Sequence, residues 1–156
     1  MRTWLFPILP LLLFSACSRH TAFEYFTKLN SREERAVMNL QHATISEHNR
    51  TKALVSTIYL NPVDPDLYVN QEFFFVALYD RQGKTLEEYN VTLNSKAPVG
   101  LVPLDENCSL RKLMPLDNPW NGYYELVFKK SKEENLTLRF ESGPSLSAAI
   151  TYGTDQ

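Results

Sequence analysis

The chain has 156 residues and a formal net charge of −2, with 16 basic and 18 acidic side chains. No basic stripe is present, so nucleic acid is not an expected partner. The five glycines form no phosphate-binding loop, which argues against a nucleotide site. The length suits one domain with a hydrophobic core of its own.

The first sixteen residues have the pattern of a secretory signal peptide. Arg2 precedes an apolar run over 4–14, which is followed by two small residues. This run is much shorter than the about 20 residues that a membrane-spanning helix needs. It also contains two prolines, which disrupt a helix interior. We therefore expect residues 1–16 to be a cleaved signal peptide rather than a membrane span.

The stretch 13–17, Leu-Phe-Ser-Ala-Cys, resembles the lipobox of bacterial lipoproteins. The resemblance implies that Cys17 becomes the first residue of the mature chain and carries acyl chains, which bind it to the membrane of the cell envelope. Ser18 follows the cysteine where Asp would signal retention, and in the enterobacterial sorting rule this implies delivery to the outer membrane. A plain secreted protein with a stray cysteine at its start is the alternative.

The segment between the anchor and the β-rich part is predicted to be a tether followed by helix. Residues 17–22 form the tether, and residues 23–48 are expected to be mostly helical. Ser31 and Glu34 have the spacing of a capping box. Apolar residues then recur at helical spacing: Ala36, Val37, Leu40 and Ala43.

Residues 49–156 predict a mostly β fold, an antiparallel immunoglobulin-like β-sandwich. Alternating or β-branched runs bounded by turn residues predict its strands: 53–60, 72–80, 85–93, 97–105, 122–130, 136–142 and 145–153. The expected core includes the inward positions of three of these strands: Phe74, Val76, Leu78, Leu126, Phe128, Leu138 and Phe140.

Turn residues between the runs predict how the strands are connected. The run 72–80 is apolar on both faces and should be a central strand, whereas 97–105 contains two prolines and should be an edge. Two β-hairpins are expected, one over 72–93 around Arg-Gln-Gly-Lys and one over 122–142 around Ser-Lys-Glu-Glu-Asn.

Four asparagines lie in Asn-x-Ser/Thr motifs: Asn49, Asn90, Asn107 and Asn135. An acidic residue stands two positions before each of them: Glu47, Glu88, Asp105 and Glu133. The other seven asparagines have no acid at that position, and chance gives such agreement on the order of once in a few hundred cases. The pattern resembles the extended sequon of bacterial N-glycosylation. The resemblance implies that these four asparagines carry glycans, with Asn135 placed in a hairpin turn.

An aromatic cluster follows in the segment 118–128, Asn-Pro-Trp-Asn-Gly-Tyr-Tyr-Glu-Leu-Val-Phe. Trp120 lies between two turn dipeptides, and Tyr123 and Tyr124 come directly after them. Aromatic rings near a loop can stack on sugars or hold a peptide, so these three residues are candidate ligand-binding residues. The alternative is that Trp120 caps the core and one tyrosine points inward.

Groups that could support catalysis or bind a metal are sparse. All three histidines, His20, His42 and His48, precede the first predicted strand, so a Ser-His or Cys-His site is not expected within the β-domain. No His or Cys spacing is typical of zinc, and no cofactor is predicted. With Cys17 acylated, Cys108 has no partner in the chain and is expected to be a small buried hydrophobe. A reactive thiol or an intermolecular crosslink is the alternative for Cys108.

These features predict a non-enzymatic, lipid-anchored and N-glycosylated protein of the bacterial envelope. Its expected role is structural or one of protein interaction, with an unidentified envelope protein as partner. The alternative is a sugar- or peptide-binding module that uses the aromatic loop around Trp120.

Overall fold

The structure is a computed structural model that describes residues 30–115, 117–143 and 146–153. Within these residues it is mostly β, with one short α-helix. The elements are α1 (Ser31–Met38), β1 (Leu40–Glu47), β2 (Arg50–Tyr59), β3 (Gln71–Asp80), β4 (Asn90–Leu93), β5 (Gly100–Pro103), β6 (Gly122–Lys129), β7 (Asn135–Glu141) and β8 (Ser147–Gly153), with 3₁₀ helices at Leu86–Glu88 and Ser109–Leu113. The predicted signal peptide, the Cys17 anchor, the tether and residues 23–29 lie outside the described residues.

The strands form two antiparallel sheets. Sheet A has the order β1-β2-β3-β6-β5, and sheet B has the order β4-β7-β8. The main hydrophobic core contains side chains of both sheets and all seven residues predicted for it, which confirms the alternation read from the sequence. The central position of β3 is also confirmed, since Phe74 and Phe75 are both 0% exposed although they point to opposite faces.

Both predicted hairpins are wrong. β3 lies in sheet A, whereas β4 pairs with β7 in sheet B. In the same way β6 belongs to sheet A and β7 to sheet B. Turn residues show where a chain bends, but they do not show whether it returns within one sheet or crosses to the other. The predicted edge strand is confirmed, since β5 pairs only with β6 among the described strands.

The helical prediction for 23–48 is wrong over its last third. α1 begins one residue earlier than the predicted capping box, because Asn30 Oδ1 accepts from the Glu33 backbone N–H (2.9 Å) and Glu33 Oε2 accepts from that of Asn30 (3.0 Å). The helix ends at Met38, and the residues after it form β1. β1 pairs with β2 along its length, so sheet A extends across the predicted boundary at residue 49.

The outer face of sheet A carries a second apolar cluster. Ile58, Phe75 and Tyr123 on this face are covered by Ala36 of α1 and by Leu110 of a 3₁₀ helix. This cover is narrower than the sheet, so the part of β1, β2 and β3 nearest the β1–β2 turn stays open. No helix among the described residues is both long and apolar enough to cross a bilayer.

Candidate functional site

An open pocket of ≈ 750 Å³ lies on the uncovered part of sheet A. Leu54 and Tyr79 stand directly opposite each other on β2 and β3 and form its floor. They remain 45% and 37% exposed, although both are large and apolar. One wall is formed by Met114, Pro115, Asn118, Trp120 and Asn121. We call this the Trp120 surface, defined by Leu40, His42, Leu54, Ser56, Tyr79 and Trp120.

Trp120 is 76% exposed, so it does not cap the core. The prediction that Tyr123 and Tyr124 bind a ligand together with Trp120 is wrong, because their side chains are only 4% and 5% exposed. Tyr79 lines the same pocket as Trp120 instead. The sequence did not indicate Tyr79, because it reads as one more apolar position of a doubly buried strand.

The turn that presents Trp120 is fixed by its own hydrogen bonds. The Asn121 backbone N–H donates to the Asn118 carbonyl (3.0 Å), and the Trp120 N–H donates to Asn118 Oδ1 (3.0 Å). Asparagine at the first position and Pro119 at the second are the residues that such a turn favours. Trp120 is therefore exposed on an ordered turn.

Tyr123 connects this turn to the sheet. Its hydroxyl accepts from the Asn118 backbone N–H (2.7 Å) and donates to the Asn118 carbonyl (3.3 Å). Its ring stacks on Phe75, with 6.0 Å between centroids, and the Arg111 guanidinium lies 4.2 Å from its centroid. Tyr123 is thus a positioning residue for Trp120.

A second contact closes the base of the loop. Arg111 Nη2 donates to Asp117 Oδ1 at 2.6 Å. This hydrogen bond lowers the pKa of the Asp117 carboxyl and raises the pKa of Arg111. Arg111 and Tyr123, which contact each other, therefore hold the adjacent residues Asp117 and Asn118 that lead to Trp120.

A polar pair lies at the edge of the pocket. His42 and Ser56 are opposite each other on β1 and β2, and His42 Nδ1 lies 2.8 Å from Ser56 Oγ. The distance would suit a base and a nucleophile, but among the described residues no carboxylate lines the pocket or bonds to His42. The pair was not predicted, because it depends on strand register. His48 lies apart from it, in the β1–β2 turn.

No cluster of three or more His, Cys, Asp or Glu side chains within the described part of the chain could hold a metal ion. Cys108 is a half-buried free thiol that packs against the second apolar cluster.

All four sequon asparagines are exposed, whereas only Asn30 and Asn70 are exposed among the other seven. Asn49 lies in the β1–β2 turn with a left-handed φ of 59°, and Asn107 lies in a loop where its N–H donates to Asp105 Oδ1 (2.9 Å). The remaining two begin strands, Asn90 in β4 and Asn135 in β7. The hairpin turn predicted for Asn135 is therefore wrong.

Replacing Trp120 by alanine should leave folding intact. Because its side chain is 76% exposed, we expect the free energy of unfolding to change by no more than about 0.5 kcal/mol. Thermal and urea unfolding of wild type and Trp120→Ala measure this directly. A loss above about 2 kcal/mol would show that the ring is buried in the core after all.

The Trp120 surface combines an exposed aromatic ring, an apolar floor and a polar pair at its edge. Sites of this kind occur on many unrelated folds, so the combination does not by itself define a family. No protein-family model matches the chain, and neither does a curated protein or a solved structure.

Proposed function

We propose that the protein is a lipid-anchored, N-glycosylated protein of the bacterial cell envelope that binds a partner protein through the Trp120 surface. The observation that carries the binding role is the exposure of Trp120 on an ordered turn beside an apolar floor. A large aromatic ring exposed to water gains no favourable free energy of burial. A partner that covers the ring provides this free energy on binding. Trp and Tyr are also the residues that most often dominate binding energy at interfaces.

The lining of the pocket favours an apolar segment of a protein as the ligand. Its floor presents hydrocarbon from Leu40, Leu54 and Tyr79, and the volume lies in the range of about 300–1,000 Å³ found for ligand pockets. The His42–Ser56 pair supplies hydrogen-bonding groups at the edge, where a peptide backbone could use them. Catalysis is not part of the proposal, because no described carboxylate orients His42.

A sugar is the second candidate ligand. The exposed ring of Trp120 offers a flat face for stacking, and Asn118 and Asn121 lie beside it with polar side chains. A sugar, however, carries many hydroxyl groups that need partners when buried. The mainly apolar floor offers few hydrogen-bond partners for these hydroxyl groups, so a peptide is the favoured ligand and a sugar the second candidate.

The proposed sandwich is of immunoglobulin-like type, with an added strand at one edge. The order β2-β3-β6-β5 in one sheet and β4-β7-β8 in the other corresponds to the ABED and CFG sheets of a constant-type domain when β2 is taken as strand A. β1 is then the added edge strand. In an immunoglobulin-like domain the connections β3–β4 and β6–β7, which the sequence predicted as hairpins, cross from one sheet to the other. The same two connections cross between the sheets in this structure.

Selection of peptides from a random display library tests the binding role. We expect selected peptides to share an aromatic or aliphatic side chain and to lose at least tenfold in affinity for Trp120→Ala and for Leu54→Asp. Val102→Asp is the matched control, because Val102 is also half-exposed, at 51%, but lies on β5. Equal losses in all three variants would contradict a site at the Trp120 surface. Binding of glycans but not of peptides, with the same dependence on Trp120, would favour the sugar.

Support for the glycans comes from the exposure of the four sequon asparagines, and Asn49 should be the best acceptor. A two-residue turn presents it, whereas Asn135 is held in place by Asn94.

In a host with the bacterial oligosaccharyltransferase, we expect Glu47→Gln to remove most of the glycan from Asn49. Glu47 also pairs with Lys52 at 2.8 Å, so Lys52→Gln is the control that breaks the same ion pair and keeps the acid. Intact-mass spectrometry should show the glycan retained in the control; equal occupancy in Glu47→Gln and wild type would show that the acid is incidental.

A further inference from the structure

Two apolar side chains are held in solvent at the end of the protein where the described chain begins. Leu67 and Val69, in the loop between β2 and β3, are 59% and 49% exposed. Arg32, two residues after the start of the described chain at Asn30, forms an ion pair with Asp64 of this loop (3.5 Å). The loop and the point where the chain enters the domain are therefore neighbours.

The loop is fixed in this arrangement by buried contacts. Asn61 is only 9% exposed, and its side chain donates to the carbonyls of Gln71 (2.6 Å) and Tyr68 (3.1 Å) and accepts from the Phe73 N–H (2.9 Å). The Tyr68 ring packs against Phe73, with 5.1 Å between centroids. Leu67 and Val69 thus stand on an ordered loop that turns them outward.

Charged groups at this end are mixed in sign. Val69 lines a cleft with Lys130, and Lys129 and Lys132 nearby are exposed as well. Of the acids at this end, Asp66 lies in the loop between β2 and β3, and Glu133 and Glu134 lie in the connection between β6 and β7. The attraction of the lysines to an anionic membrane surface is therefore nearly balanced by the repulsion of the acids. Burial of Leu67 and Val69 is then the main favourable contribution to membrane binding.

The length of chain before the domain limits how far this end can be from the membrane. Asn30 is the thirteenth residue after Cys17, so the fully extended connection spans about 45 Å and a flexible one averages about 20 Å. We infer that the loop carrying Leu67 and Val69 inserts these side chains into the interfacial region of the bilayer that holds the lipid anchor. This inference rests on the proposed anchor at Cys17.

The orientation also suits the Trp120 surface. β3 runs from Gln71, paired with Lys129 at the proposed membrane end, to Leu78, paired with Gly122 beside the Trp120 turn. Seven residues of strand separate the two pairs by about 24 Å. The Trp120 turn would then lie at the end of sheet A away from the lipid.

Fluorescence quenching by brominated lipid tests the inference. The mature acylated chain, which begins at Cys17 and has Trp120 as its one tryptophan, carries the Trp120→Phe substitution and is reconstituted into vesicles of phosphatidylcholine brominated on its acyl chains. We expect emission from Leu67→Trp and from Val69→Trp to be quenched at least twofold. Val102→Trp is the matched control, since Val102 is 51% exposed on β5, and its emission should be unchanged.

Flotation of the same vesicles separates the inference from the anchor. If the chain floats and Val69→Trp is quenched no more than Val102→Trp, the anchor stands and the inference is overturned, which would leave a partner protein as the occupant of the loop. If wild type floats no better than Cys17→Ala, the anchor itself is wrong and the inference falls with it. Quenching at both loop positions, with flotation that depends on Cys17, supports the inference.

Discussion

Replacing Phe74 by alanine should lower the free energy of unfolding by about 3–5 kcal/mol. Phe74 is 0% exposed, and its ring lies 5.1 Å from Tyr59, 5.7 Å from Tyr152 and 5.9 Å from Phe128. Tyr152 belongs to sheet B and the other two to sheet A, so the ring fills the space between the sheets. Its removal leaves a cavity that neither sheet can close alone. Urea unfolding followed by circular dichroism measures the loss.

The neighbouring Phe73 provides the control. It points to the outer face of sheet A, is only half-buried and packs against Tyr68. We expect Phe73→Ala to cost about 1–2 kcal/mol, since less apolar area is lost. Equal losses for Phe73→Ala and Phe74→Ala would contradict the assignment of inner and outer faces in β3.

Replacing Glu72 by alanine should cost about 2–4 kcal/mol. Its carboxylate is 1% exposed, accepts from the Tyr59 hydroxyl (2.7 Å) and the Ser131 N–H (3.0 Å), and lies 3.2 Å from Lys130 Nζ. Burial and the neighbouring Glu72 raise the pKa of Tyr59, so its hydroxyl stays protonated and donates. Without Glu72, the buried Tyr59 hydroxyl and the partly buried Ser131 N–H lose their acceptor, and we expect this loss to exceed that of the ion pair.

Lys130→Met separates the two contributions. Lys130 is half-exposed, so water screens its side of the ion pair and the pair should contribute less than the two hydrogen bonds to Glu72. We therefore expect the methionine variant to lose much less stability than Glu72→Ala in the same urea titration. If the two variants lose equal amounts, the ion pair rather than the hydrogen bonds to Tyr59 and Ser131 holds the crossing between β6 and β7.

The sequence predicted the parts of the fold that depend on local alternation. Phe74, Val76 and Leu78 lie at every second position of β3, and such a period specifies a face wherever the strand pairs. The pairing of strands was predicted less well. Turn residues such as those around Gly83 and after Lys130 occur both between two strands of one sheet and between strands of different sheets, so they do not distinguish the two cases. β1 was missed because Ala43 fits a helical period from Ala36 as well as a strand period to Ile45.

The candidate site was predicted only at its loop. The dipeptides around Trp120 indicated a turn, and the structure has that turn. The exposure of Trp120 and the presence of Tyr79 in the same pocket depend on how far the cover of sheet A extends, which no local pattern contains. The contact between His42 and Ser56 depends on the register of β1 against β2, which includes an irregularity after Ile45.

Photo-crosslinking in living cells tests most directly whether the Trp120 surface binds a partner protein. A photoreactive phenylalanine analogue is placed at Trp120, at Tyr79 or, as control, at Val102 in the full chain. We expect Trp120 and Tyr79 to give the same discrete adduct and Val102 to give none, and we expect Leu54→Asp to remove the adduct from Tyr79. No adduct from either position, or an adduct from Val102 that matches them, would contradict a partner-binding site at the Trp120 surface.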